Sequence, residues 1–155
     1  MTMDAIDRRL LSVLETDGRA SFAQVAEAVG LSKTPCWNRV QALEESGVIT
    51  GYRADIDRAR VGLPLLAFVD VAIDLGRHQA FEAAIANVPS VLECHTTAGP
   101  FDYVLRVAVR DVGALDELLR AELSHLPGVK TFATRICLKT VFQARPLMAV
   151  PGAGS

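Results

Sequence analysis

The chain has 155 residues, half of them apolar and 22% charged, with a formal net charge of −2 at pH 7. That balance suits one ordinary domain or two small ones and argues against a disordered chain, while the slight acidity excludes a broad basic surface as the route to nucleic acid. No apolar run approaches the ~20 residues of a membrane helix, so no membrane partner is expected.

The opening "MTMDAIDRR" is acidic within its first residues and has no apolar core of a signal peptide, which points to the cytoplasm. From Ala5 to Glu15, Ile6, Leu10, Val13 and Leu14 recur at helical spacing, and Asp4 stands as an N-cap. "DGRAS" ends that helix. Ser21 followed by Gln24 is a capping box for the next, whose seam is Phe22, Val25, Ala26 and Val29. Gly30 suits a left-handed closing residue. Leu31 is the apolar residue of the turn, and Ser32 is placed to cap a third helix from Lys33 to Ser46, with Pro35 tolerated in its first turn. Two helices joined by a short Gly-containing turn read as a helix-turn-helix, whose second member lies in the major groove of DNA.

The third helix has two unlike sides. With Cys36 at zero and about 100° per residue, Val40 and Leu43 fall within about 40° of it, which makes that side the buried one. Thr34, Trp37, Asn38 and Gln41 fall together roughly 100–200° away, with Arg39 on the flank. Asn and Gln can pair bidentately with adenine, and an aromatic ring or a Thr methyl can meet a thymine methyl. Ser32, Lys33 and Arg39 are placed to hold phosphates beside the helix N-terminus. The bland alternative is that Trp37 packs on a partner subunit. The first 60 residues carry eight basic side chains against nine acidic ones, so any DNA contact must come from this local arrangement.

"GVITGYRADID" then changes period. Val48, the Gly51 break, Tyr52 and Ile56 suggest a short two-stranded hairpin (a wing) or an extended linker. Arg53 either grazes the DNA backbone or is a solvated linker charge, and residues 58–64 are a hinge. Beyond it "LLAFVDVAI" (65–73) reads as a strand and "HQAFEAAIANV" (78–88) as a helix with Phe81, Ile85 and Val88 inward. Residues 91–99 and 102–110 are strands separated by so little that they form an antiparallel hairpin. Asp111 caps a helix over 112–126 carrying Leu115, Leu118, Leu119 and Leu123, and residues 128–142 supply the last strand. The order βαββαβ is the ferredoxin-like split βαβ, whose sheet has one face left open by the helices. An apolar open face predicts pairing with a second subunit. The fold class is thus α+β: a winged helix-turn-helix over 1–50, a hairpin or linker over 51–64, the βαββαβ unit over 65–142 and a tail over 143–155.

Cys36, Cys94 and Cys137 are far apart and lack C-x-x-C spacing. They read as small buried hydrophobes, not a disulfide framework or a zinc site. His78, His95 and His125 lie on three different elements without metal-site spacing, and no nucleophile elbow is present. No catalytic residue, metal or cofactor is expected.

With "LSKTPCWNRVQALEESGVITGY", "ECHTTAGPFDYVLRV" and "LPGVKTFATR" in this order, the chain resembles the Lrp/AsnC (feast/famine) transcription regulators from about Met3 to Pro146. Trp37 is bulkier than the aliphatic residue often found there. The resemblance implies a regulatory (RAM) domain that forms homodimers and assembles to tetramers or octamers on pseudo-palindromic double-stranded DNA. It also implies a small-molecule effector, usually an amino acid, held between regulatory domains. The corresponding positions here are Thr97, Ala98, Gly99, Asp102 and Tyr103 on the hairpin, Asp111 at the second helix, and Thr131 and Thr134 on the last strand. Backbone N–H groups near Gly99 could bind a carboxylate, and Asp102 or Asp111 an ammonium. Against this, Gly99 is equally a turn residue and Asp111 a helix cap, and Thr131 and Thr134 should face opposite sides of a regular strand. Two other readings stay open. The sirohaem decarboxylases also resemble both halves and use histidines near a tetrapyrrole, with His95 the residue to consider. The other is an amino-acid-binding module without DNA binding. The recognition patch favours the regulator.

Overall fold

The computed structural model describes residues 3–154. Met1, Thr2 and Ser155 lie outside the described residues, so the reading of the N-terminal stretch is followed only from Met3 onward. The chain divides into two compact units, one of residues 1–55 with 141–155 and one of residues 56–140.

The first unit holds α1 (Ala5–Thr16), α2 (Phe22–Val29) and α3 (Lys33–Glu45). The first two starts follow from their caps. Asp4 accepts the N–H groups of Ile6 and Asp7 while the Asp7 carboxylate accepts the N–H of Asp4, a reciprocal box. Ser21 and Gln24 form the same reciprocal arrangement for α2. Gly30 closes α2 at φ +76°, a conformation that glycine adopts without a Cβ clash. Leu10, Leu11, Val25, Ala26, Val29, Cys36, Val40 and Leu43 form the core of this unit. Ser32 occupies the N-cap of α3, but its hydroxyl makes no cap hydrogen bond, unlike the other two caps.

Residues 51–57 form no strand, so the wing of the winged reading is absent as a hairpin and the extended alternative is the one observed. Gly51 sits at φ +150°, and residues 50–57 are all exposed, leaving such a hairpin no apolar surface to pack on.

The second unit is a four-stranded sheet in the order β2-β3-β1-β4, all pairs antiparallel, built from β1 (Leu65–Ile73), β2 (Val91–Thr96), β3 (Tyr103–Val109) and β4 (Val129–Ile136). Helices α4 (His78–Ile85) and α5 (Val112–Glu117) cover one face. Beyond Glu117, α5 continues as a wider π turn (Leu118–Glu122) and a tight 3₁₀ turn (Leu123–His125), not as one regular helix to 126. The strands alternate as a half-covered sheet must. Ala67, Val69, Val71 and Ile73 of β1 and Tyr103, Leu105, Val107 and Val109 of β3 meet Phe81, Ile85, Leu115, Leu118 and Leu123 in the core.

The opposite face is less apolar than expected. Phe68, Val104 and Ala108 lie on it, but so do the ion pairs Arg106–Glu93 and Arg135–Asp70. The expectation for the cysteines also fails in part: Cys36 is buried, Cys94 exposed and Cys137 between the two. Cys94 stands on the edge strand β2, where one neighbouring strand is missing, and Cys137 lies just past the end of β4.

The residues read as a tail do not trail away. Leu147–Ala149 form a 3₁₀ turn, and Met148 packs against the core of the first unit.

Candidate functional site

The seam of α3 sets what its other side can do. Cys36, Val40 and Leu43 are 0%, 1% and 0% exposed, so the helix is held by one stripe and its rotation is fixed. Trp37 is then 48% exposed, a large apolar ring left in water. Ser32, Lys33, Thr34 and Asn38 are exposed with it, and Gln41 is half-buried. The N-terminal half of α3 therefore gathers Ser32, Lys33, Thr34, Trp37 and Asn38 on one outward surface. Because the Ser32 hydroxyl makes no cap bond and Pro35 has no N–H, the positive end of the α3 dipole is left for an anion from outside.

Two residues of this patch have partners that the sequence order did not suggest. The Arg39 guanidinium donates from one nitrogen to both Asp4 and Asp7, each at 2.7 Å. It ties the flank of α3 to the capping box of α1. Asp7 is 7% exposed, the one buried charged residue among the described residues. Those two carboxylates hold the Arg39 proton more firmly than usual, Asp7 most. Asp4 in turn is pulled below the ordinary carboxylate range, first by the Asp7 N–H and then by Arg39. Arg39 is thus a strut inside the unit before it is a phosphate ligand. Gln41 donates to Glu44 at 2.8 Å, and Glu44 accepts from the Tyr52 hydroxyl at 2.9 Å. Burial, and after it Glu44, pushes the Tyr52 phenol up to about 12.

The hairpin residues are brought near one another, but their polar groups already hold the loop. Thr97 donates its hydroxyl to the Phe101 carbonyl and its N–H to the Asp102 carbonyl, both at 2.8 Å. Asp102 accepts the N–H of Ile73 at 2.8 Å, pinning the hairpin to the end of β1. Ala98 and Gly99 are exposed, with Gly99 at φ +144°. Asp111 accepts the Ala114 N–H at 2.8 Å and so serves as the cap of α5.

Tyr103 points away from the loop surface. It is 1% exposed, donates to Glu82 at 2.7 Å and has its oxygen 2.9 Å from His78 Nδ1. Burial and then Glu82 raise its phenol well above the ordinary value. Thr131 pairs with Ala72 and so faces the open side, whereas Thr134 pairs with Val69 and faces the helices. The Thr134 hydroxyl is buried without a hydrogen-bond partner. The loop positions lie before the start of β3 and Asp111 past its other end, while Tyr103 and Thr134 lie under the helices.

Among the described residues no group of three or more His, Cys, Asp or Glu side chains converges to hold a metal, and no helix is long and apolar enough to cross a membrane.

Comparison with known proteins follows the same division. The AsnC-type helix-turn-helix domain matches residues 3–44, and the Lrp/AsnC ligand binding domain matches residues 66–147. The leucine-responsive regulatory proteins of Salmonella typhimurium and of Escherichia coli K12 are each 38% identical over 149 residues, covering 94% of this chain and 91% of the relative. A transcriptional regulator of Neisseria meningitidis, solved as its L-Met complex, superposes with a TM-score of 0.91 at 30% identity, over 94% of this chain and 96% of that one. The leucine response regulatory protein of Mycobacterium tuberculosis does so with a TM-score of 0.80 at 33% identity, over 92% and 97%.

Proposed function

From the premise that this chain belongs to the Lrp/AsnC family, and is therefore a DNA-binding transcription regulator with a ligand-binding domain, we propose how its parts divide the work. The N-terminal half of α3 reads an operator, and the sheet unit answers a free amino acid. The observation that carries the first half is the patch of Thr34, Trp37 and Asn38, exposed opposite a fully buried seam on a helix whose N-terminus is uncapped. Asn38 is the base-reading residue, Trp37 and Thr34 the apolar contacts to thymine, and Ser32 and Lys33 the phosphate contacts. Arg39 contributes by holding the helix at its angle. Gln41 contributes through its carbonyl, since its amide is bonded to Glu44.

The effector side rests on the chemistry of the hairpin and on what the relatives are named for, leucine and L-Met. Backbone N–H groups around Gly99 would take a carboxylate, and the second oxygen of Asp102 an ammonium. Thr97 holds that loop in shape, Tyr103 ties the start of β3 to α4, and Asp111 caps α5 beyond the other end of β3. Thr131 lies on the open face, and the unbonded hydroxyl of Thr134 lies under the helices. The open face joins two copies into a dimer that assembles further, which makes the operator pseudo-palindromic with half-sites about one helical turn apart or a multiple of it. A regulator that reads DNA in this way would work beside it, in the cytoplasm.

The test is an operator titration with DNA from upstream of the protein's own gene, repeated with each of the twenty amino acids. The expected result is saturable binding that one or a few amino acids shift several-fold. Binding that no amino acid moves would remove the effector reading, and absence of sequence preference would remove the operator reading. Light scattering at micromolar concentration should show a dimer or larger.

A further inference from the structure

We propose that residues 141–154 act as a clasp: a second covalent tether that carries the state of the last regulatory strand back into the DNA-binding unit. The chain leaves the first unit near residue 55 and re-enters it at 141, so that unit is joined to the sheet unit by two strands of chain. The re-entering segment is docked. The Glu15 carboxylate, near the C-terminal end of α1, accepts the N–H of Leu147 at 2.8 Å and that of Met148 at 3.0 Å. Those are the first N–H groups of the 3₁₀ turn, which no residue within the turn could satisfy.

Beside that anchor Met148 enters the apolar cluster with Met3, Val13, Leu14 and Ile49. A half-open groove of about 300 Å³ lies next to Leu147 and Met148, between α1 and residues 48–52. Leu147 is exposed and Met148 only partly buried at the rim of that groove, so the segment can leave it without breaking a close-packed core. A third contact lies at the other end of α1. Gly154, at φ +76°, approaches so closely that a Cβ there would come within about 3.1 Å of the Arg8 side chain and of Met3. The segment thus lies along α1 from its last turn to its first. Only the stretch from Cys137 to Pro146 separates the end of β4 from the anchor at Leu147.

The device follows from the connectivity. One tether alone would let the DNA-binding unit tumble on its linker; with both engaged, a shift of β4 pulls on α1. Because Arg39 joins α1 to α3, the pull reaches the recognition helix. The effector half of this proposal rests on the ligand reading above, whereas the docking half does not.

The experiment compares full-length wild type with Glu15→Ala and Met148→Ser. Glu15 is exposed and alanine keeps α1 helical, so the first variant removes the anchor without touching the core. Hydrogen exchange is read at residues 147–153, in α1, and in β1 and β3. Opening should raise exchange at residues 147–153 by roughly ten-fold or more and in α1 several-fold, with β1 and β3 unchanged. The amino-acid-dependent change in operator affinity should fall towards one. Unprotected Leu147 and Met148 amides in the wild type would overturn the proposal. So would variants that open the segment and leave both α1 exchange and the operator response as they were. A wild type that answers no amino acid would sink the effector reading alone, and the exchange comparison would still decide the clasp.

Discussion

The exposed polar groups of α3 and those of the β2–β3 hairpin differ in what they are already bonded to. On α3, among the described residues, the side chains of Thr34 and Asn38 have no hydrogen-bond partner, and the Ser32 hydroxyl makes no cap bond. On the hairpin, Thr97 and Asp102 each hold a piece of backbone, as Asp111 does at the start of α5. A surface with unbonded polar atoms can give them wholly to a partner. A loop whose polar atoms maintain its shape can bind a ligand only by sharing them. Substitutions should therefore separate the two regions: on α3 they should lower affinity and leave the fold alone, on the hairpin they should lower both.

Arg39 is the place where that contrast should break, with the largest effect. It stands on α3 but bonds inward, to a carboxylate that is almost fully buried. Removing one partner of a buried pair costs about 3–5 kcal/mol, and the partial exposure of Arg39 brings the expectation for Arg39→Ala down to about 2–3 kcal/mol of stability. Urea unfolding checks this. The salt slope of DNA binding should stay within a fraction of a unit of wild type. A slope lower by about one with unchanged stability would make Arg39 an ordinary phosphate contact.

Asn38→Ala sharpens the comparison from the other side. We expect specific operator affinity to fall by about 2 kcal/mol, the scale of one bidentate base contact, with the unfolding midpoint unmoved. Equal losses on operator and on random DNA would contradict base reading.

Asp102→Ala tests the hairpin at a smaller scale. It deletes the acceptor for the Ile73 N–H, so about 1 kcal/mol of stability should go with it, together with the amino-acid response. Operator binding without effector should remain within a few-fold. A full response in a destabilised protein would place the ammonium site elsewhere.

The contrast between the two regions also explains what could be read in advance. Features set by neighbours a few residues apart were legible: the Asp4 and Ser21 caps, the left-handed Gly30, the seam of Cys36, Val40 and Leu43, the alternating strands, and the hairpin turn. The outward patch on α3 was legible for the same reason, since helical geometry alone decides which side chains share a face. What stayed hidden depends on partners distant in sequence. Arg39 meets Asp4 and Asp7 from more than 30 positions away, Asp102 meets Ile73 across 29, and Glu15 meets Leu147 across 132. Asp7 carried a partial signal, as the acidic fourth residue of an Asp-x-x-Asp box, but nothing local pointed it at Arg39. The helix expected over 112–126 does run helical to His125, but its change of type after Glu117 was not legible, because apolar spacing does not distinguish an α turn from the π and 3₁₀ turns that follow. The missing wing and the ion pairs on the open face have a common cause. Alternation shows that a strand has two sides, but not what covers the second.

The smallest expected effect concerns that second side. Arg106 chiefly, and His95 after it, hold the Glu93 carboxyl below its ordinary 4.5, against the opposing effect of burial. A carboxyl with a depressed folded value adds stability that is fully present above the unfolded value and is lost as pH falls through the folded one. The loss should therefore begin below about pH 4.5 and be absent at neutral pH. Glu93 is 44% exposed and Arg106 29%, so water screens the pair in a single copy and less than about 1 kcal/mol is at stake. Glu93→Gln should flatten that acid limb slightly and leave the neutral plateau unchanged. If the open face is where two copies meet, the pair is drier in the dimer, and the acid sensitivity of wild type should grow with protein concentration while that of Glu93→Gln does not. An acid limb independent of concentration from submicromolar upward, in a protein that light scattering shows to be changing its association state over that range, would mean that the copies join through another surface.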